Sequence, residues 1–175
     1  MGDNYRTIVF VDKLRRLGKG TPLNAAEGVI RENSVTANNN AGAYKVTMRQ
    51  LTDRLNMLVR DMEEKLRSLQ EMNQVGDYDS VKADQKQFDI LYVEGGKAKR
   101  TYVEKQADFF VNWPDIARDR ISSRDHGKLN NYIGIRDKLI RETTEPLKAI
   151  DDLKTRAKGL LTQAERVYAE LTRAR

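Results

Sequence analysis

Residues 48–72 read MRQLTDRLNMLVRDMEEKLRSLQEM, with apolar side chains at Met48, Leu51, Leu55, Leu58, Met62, Leu66, Leu69 and Met72. Steps of three and four place all eight on one stripe of an α-helix. The opposite face carries Arg54, Asp61, Glu64 and Lys65, and Asp61 precedes Lys65 at the i,i+4 spacing that suits a solvated pair. Two successive fours at 58, 62 and 66 shift a coiled-coil-like seam locally toward an eleven-residue repeat. Neither glycine nor proline interrupts residues 43–74, so one helix of about 45 Å is predicted there. In a chain of 175 residues such a helix implies an elongated shape.

Beyond this helix, Val75-Gly76-Asp77-Tyr78 reads as a break, with Asp79 or Ser80 able to cap the next helix. Phe88, Leu91, Tyr92, Gly95, Tyr102, Gln106, Phe109 and Trp113 again step by threes, fours and sevens, which predicts a second long helix up to Trp113-Pro114. Gly95-Gly96 leaves an alternative open, since each glycine costs about 0.8–1.0 kcal/mol in a helix interior. That alternative is a small β-hairpin over 89–104, whose flanks are rich in β-branched and aromatic residues. Residues 114–123 and 128–142 are expected to be shorter helices. Thr144 caps a last one, with Pro146 in its first turn and Leu147, Ile150, Leu153, Ala157, Leu160, Leu161, Ala164, Val167 and Leu171 along its stripe. Long amphipathic helices joined by short turns predict a mainly α fold, an elongated antiparallel bundle with coiled-coil-like seams.

Toward the N-terminus the pattern changes. Residues 7–11 fit a strand, or Ile8, Val11, Leu14 and Leu17 fit a short amphipathic helix, and Gly18 to Gly20 ends either one. Thr21-Pro22 resembles a helix start, leading into Leu23, Ala26 and Ile30, and then Ser34 to Gly42, with three consecutive asparagines, has the composition of a linker. The expected division is an N-terminal arm over 1–40 and a helical bundle domain over 41–175.

Composition agrees. Ala, Glu, Lys, Leu and Arg make up 73 residues, near the share found in mostly helical chains, and only 3 prolines occur. Leu, Ile, Val and Phe number 41, enough for a core. With 0 cysteines, disulfide scaffolds, thiolate metal sites and cysteine nucleophiles are excluded. Residues 1–12 hold only a short apolar run, so no secretion leader is expected, and no stretch reaches the length of a membrane span. A cytoplasmic location, or one within a virion, is the resulting expectation.

The fragments that suggest chemistry fall short. Gly18-Lys19-Gly20-Thr21 lacks the distal glycine and the adjacent hydroxyl of a phosphate loop. Asp77 and Asp79 lack a third acid at calcium-loop spacing, no Glu-x-x-His pair occurs, and the sole histidine, His126, sits in a predicted turn. No catalytic, cofactor or metal site is therefore expected. The net charge of +6 comes with two basic clusters near aromatics, Lys13, Arg15, Arg16 and Lys19, and Lys97, Lys99 and Arg100. Two functions remain. The first is a non-catalytic structural or assembly subunit of a larger complex, such as a virus particle, phage tail or neck, or secretion-type machine. It would be a homo-oligomer or would bind other proteins through Ile8, Phe10, Val11, Leu14, Leu51, Leu55, Leu58 and Met62. The alternative is a helical protein associated with nucleic acid through the two basic clusters.

Overall fold

The computed structural model describes residues 10–173, and a mainly α fold is what it shows. Helices cover residues 10–15 (α1), Asn24–Met72 (α2), Asp77–Lys105 (α3), Ala107–Phe110 (α4), Pro114–Arg120 (α5) and His126–Arg173 (α6), with a 3-10 turn at Ser123–Asp125. The one β feature among the described residues is an isolated parallel bridge between Thr21 and Ile121.

The linker expected at 34–42 is instead helix, because the seam of α2 continues through it. Ile30, Ser34, Ala37, Ala41, Tyr44 and Met48 are buried at alternating steps of four and three, and Leu51, Leu55, Val59, Met62, Leu66 and Leu69 carry the stripe on. Asn38 and Asn39 point away from it and are exposed. Asparagine costs a helix only a few tenths of a kcal/mol relative to its neighbours in the propensity scale, and tertiary burial of the other face exceeds that. The paired fours lie at 51, 55 and 59, so Val59 takes the inward place expected of Leu58, which is half-buried. Met72, expected on the seam, is 65% exposed. Asn73 ends α2 in the left-handed conformation, φ 54°.

Residues 89–104 form no hairpin, since α3 runs through Gly95-Gly96. A Cβ on Gly95 would lie 3.4 Å from Ile150 Cδ1 and 3.7 Å from Met48 Cε, so three helices converge there on a residue with no side chain. The second helix stops at Lys105 rather than at Trp113. Gln106 turns the chain, and α4 then buries Phe109 against Trp113, whose indole N–H donates to the Phe109 carbonyl at 3.0 Å. The last two predicted helices are one, α6, with Pro146 in its interior. Pro146 removes the N–H that would serve the Glu142 carbonyl. In the same turn the Tyr44 hydroxyl donates to the Thr143 carbonyl at 2.9 Å, and the Thr143 hydroxyl to the Leu139 carbonyl at 2.8 Å. These bonds hold the weakened turn in a helix with a stripe on both sides of it.

The chain divides into two compact units, Met1–Lys45 with Lys99–Thr144, and Val46–Ala98 with Glu145–Arg175. Residues 10–40 thus pack with 99–144 instead of hanging free as an arm, and Phe10, Leu14, Leu23 and Ile30 are in the core of that first unit. There α1, α4 and α5 fill the space beside the early turns of α2 and α6, with Phe10 edge-on to Trp113 at 5.9 Å. Arg136 of α6 donates to the Phe110 and Val111 carbonyls at 3.1 and 3.2 Å, satisfying the end of α4. The second unit is an up-down-up set of three helices: α6 runs antiparallel to α3 (Tyr78 stacked on Tyr168 at 4.4 Å, Tyr92 bonded to Asp151 at 2.7 Å) and parallel to α2 (Arg156 on Glu63).

Candidate functional site

The two units differ in charge. The first contains 17 Lys and Arg against 11 Asp and Glu, the second 15 against 15, so the whole net charge of +6 belongs to the first unit. Within it, the bridge between Thr21 and Ile121 sets two basic segments side by side. Thr21 N–H donates to the Arg120 carbonyl at 3.1 Å, and Ser122 N–H to the Thr21 carbonyl at 2.8 Å. The segment carrying Lys13, Arg15, Arg16 and Lys19 is thereby joined to the one carrying Arg118, Arg120 and Arg124 at one end of the unit.

Burial separates the cations of that end from its apolar side chains. Phe10, Val11, Leu14 and Ile121 are buried, whereas Lys13, Arg15, Arg16, Lys19, Arg118 and Arg124 are exposed. Lys19 meets Asp119 at 3.9 Å, Arg120 meets Asp119 at 3.6 Å and Arg118 meets Asp115 at 3.6 Å, all pairs with an exposed carboxylate and of small energetic weight. Among the described residues no ion pair engages Lys13, Arg15, Arg16 or Arg124. Beside this end lies a groove of about 320 Å³ between α1 and α2, lined by Leu14, Leu17, Ala25 and Val29 and bordered by Lys13.

The other expected basic cluster does not join it. Lys97 is in the second unit, and Lys99 and Arg100 sit near Tyr102, which stacks on Tyr44 at 4.7 Å, some twenty residues up α2. At 1.5 Å per residue that is about 30 Å from the start of α2. Lys97 and Arg100 are exposed and Lys99 half-buried. Of the expected protein-binding residues, Phe10, Val11, Leu14, Leu51, Leu55 and Met62 are buried within their own units, and Ile8 lies outside the described residues. Arg118, Arg120 and Arg124 were not among the sequence candidates, since Asp115, Asp119 and Asp125 balance them locally in the sequence.

Other polar clusters serve the fold. The nearly buried Glu27 carboxylate pairs with Lys128 at 2.9 Å and Arg31 at 2.8 Å and accepts the Tyr132 hydroxyl at 2.9 Å. Hydrogen bonds from Lys128, Tyr132 and Arg31 hold its pKa at about 2. His126 contacts the Ile121 carbonyl through Nε2 at 3.0 Å, a local tie at the start of α6. In the second unit Asp84 is desolvated beside Asp61, and its Oδ2 is buried with no hydrogen-bond partner among the described residues. Burial, reinforced by the Asp61 carboxylate, pushes the Asp84 pKa up to about 7. Among the described residues no group of three or more His, Cys, Asp or Glu side chains could hold a metal ion, and no helix is long and apolar enough to cross a membrane.

A last feature lies on α6 of the second unit. Ile150, Ala157 and Ala164 are fully buried at seven-residue spacing, and Leu153, Leu160 and Val167, each three residues further on, are only half-buried. The apolar stripe of α6 is thus wider than its two neighbouring helices cover. Comparison with protein-family models, with curated proteins and with solved structures found no match.

Proposed function

We propose that the chain is a non-catalytic structural subunit that works through helix packing, with the second unit taking a further helix from another copy of the chain. The observation that carries this is the stripe of Leu153, Leu160 and Val167. Leu153, Leu160 and Val167 stand at the d positions of the heptad whose a positions are Ile150, Ala157 and Ala164, a seam that the neighbouring helices leave half-covered on this flank. The second unit carries no net charge, which favours close approach of like copies over repulsion. Exposed Met57, Ile90 and Val93 add apolar surface to the same unit. A virion, a phage tail or neck and a secretion-type machine are settings in which such a subunit would serve.

Light scattering at two protein concentrations tests this. A mass above one chain that rises with concentration is expected, and L153E/L160E should return the protein to a monomer with unchanged helix content. A wild-type protein that stays monomeric at high concentration would refute self-association.

A further inference from the structure

We infer that the end of the first unit formed by residues 13–19 and 118–124 is a docking surface for duplex nucleic acid, gripped through its phosphodiester backbone. This goes beyond the helix-packing role and does not depend on it. Seven cations, Lys13, Arg15, Arg16, Lys19, Arg118, Arg120 and Arg124, lie on the two segments that the backbone pairing of Thr21 with Ile121 joins, and Lys19 and Arg120 share Asp119 across it. Four have no ion-pair partner among the described residues, and the other three have only exposed carboxylates at 3.6 to 3.9 Å, which a phosphate can displace. The opening of α2 itself is not the anion site, since the Leu23 N–H is already taken by the Asp125 carboxylate.

The chemistry of the surface selects among anionic partners. Five of the seven cations are arginines, whose planar forks match phosphate oxygens in pairs. Phe10, Phe109 and Trp113 are buried and the Tyr132 hydroxyl is bonded to Glu27, so among the described residues no exposed aromatic stands beside these cations for stacking unpaired bases. Leu14 and Ile121 are buried as well, leaving little to enter a lipid bilayer. A surface of arginine and lysine with no exposed stacking or insertion group among the described residues suits a backbone of regular phosphates, bound without regard to sequence.

The experiment is fluorescence anisotropy of the full chain with duplex DNA, duplex RNA and single-stranded oligonucleotide over a series of salt concentrations, with phosphatidylserine vesicles and polyglutamate alongside. Both duplexes should bind more tightly than the other three. R15A/R16A/R124A should weaken duplex binding at least about tenfold and lower the log–log salt slope by between about 2 and 3, near 0.9 for each lost contact. K97A/K99A/R100A removes the same charge from elsewhere and should change affinity less than about twofold. Equal losses in the two variants would show diffuse charge attraction and overturn the inference, as would vesicles or polyglutamate binding as tightly as duplex. A melting curve checks that each variant is folded. Photo-crosslinking of the wild-type chain to duplex gives a second readout: crosslinks within 13–19 and 118–124 are expected, and crosslinks confined to other segments overturn the assignment.

Discussion

Asp125 accepts the backbone N–H of Leu23 on its Oδ2 at 2.8 Å, across 102 residues of sequence. The hydroxyl that local sequence offers for that helix start, Thr21, instead donates to the Gly18 carbonyl. A carboxylate from the turn before α6 thus closes the first turn of α2, where a free N–H would otherwise go unpaired. Asp125→Ala should cost about 1 kcal/mol, and Thr21→Val distinctly less, measured by urea unfolding. A larger loss at Thr21 than at Asp125 would contradict this capping.

The continuity of α2 through residues 34–42 makes a sharp contrast between neighbours. Ala37 is fully buried and Asn39 exposed. Ala37→Glu should destabilise by several kcal/mol through a buried, unpaired charge, while Asn39→Glu should stay within about 0.5 kcal/mol. Thermal melts that moved equally for both would restore a flexible segment there.

The glycine pair in α3 gives two different expectations. Nothing lies within 4 Å of a Cβ on Gly96, so Gly96→Ala should stabilise by about 0.8–1.0 kcal/mol, the difference in helix propensity. At Gly95 the added methyl touches Ile150 and Met48 at ordinary contact distance, so Gly95→Ala should be neutral or mildly stabilising and Gly95→Leu destabilising by about 1–3 kcal/mol. Stability loss at Gly96→Ala would indicate a non-helical backbone.

Two carboxylates make stability depend on pH in opposite senses. Glu27, lowered from 4.5 to about 2, binds its proton less readily when folded, so its contribution is present above pH 4.5 and is lost as pH falls toward 2. Asp84, raised from 3.8 to about 7, binds its proton more readily when folded, so its contribution is present below pH 3.8 and is lost as pH rises through 7. Melting temperature should therefore peak where the two windows meet, at about pH 4. Glu27→Gln should flatten the acid limb, and Asp84→Asn should flatten the decline toward neutrality and raise stability at pH 8. A profile of Asp84→Asn parallel to wild type above pH 4 would show that Asp84 ionises normally.

Fold legibility tracked side-chain size. The stripe from Met48 to Leu69 is visible because leucine and methionine mark nearly every inward place, and the stripe of α6 shows through Ile150, Leu153 and Leu160. From 34 to 41 the inward places hold Ser34, Ala37 and Ala41, which carry almost no hydrophobic signal beside three asparagines, so a packed helix resembled a linker. Pro146 looked like a helix start because what supports it, the bond from Tyr44 to Thr143, comes from 99 residues away. The basic end was half visible: Lys13 to Lys19 stand out in sequence, but Arg118, Arg120 and Arg124 are interleaved with aspartates, and only the bridge from Thr21 to Ile121 reveals their common surface.

Each unit is assembled from stretches of chain that are far apart, and this orders events during synthesis. Residues 10–45 leave the ribosome with the apolar face of Phe10, Leu14, Leu23 and Ile30 uncovered, and their partners arrive only when Lys99–Thr144 has been translated. The second unit waits longer still, for Glu145 onward. Nascent α2 is thus an amphipathic helix without a companion until α3 has followed it, a natural client for a chaperone, and no ribosome-stalled fragment ending before residue 99 would contain a finished core.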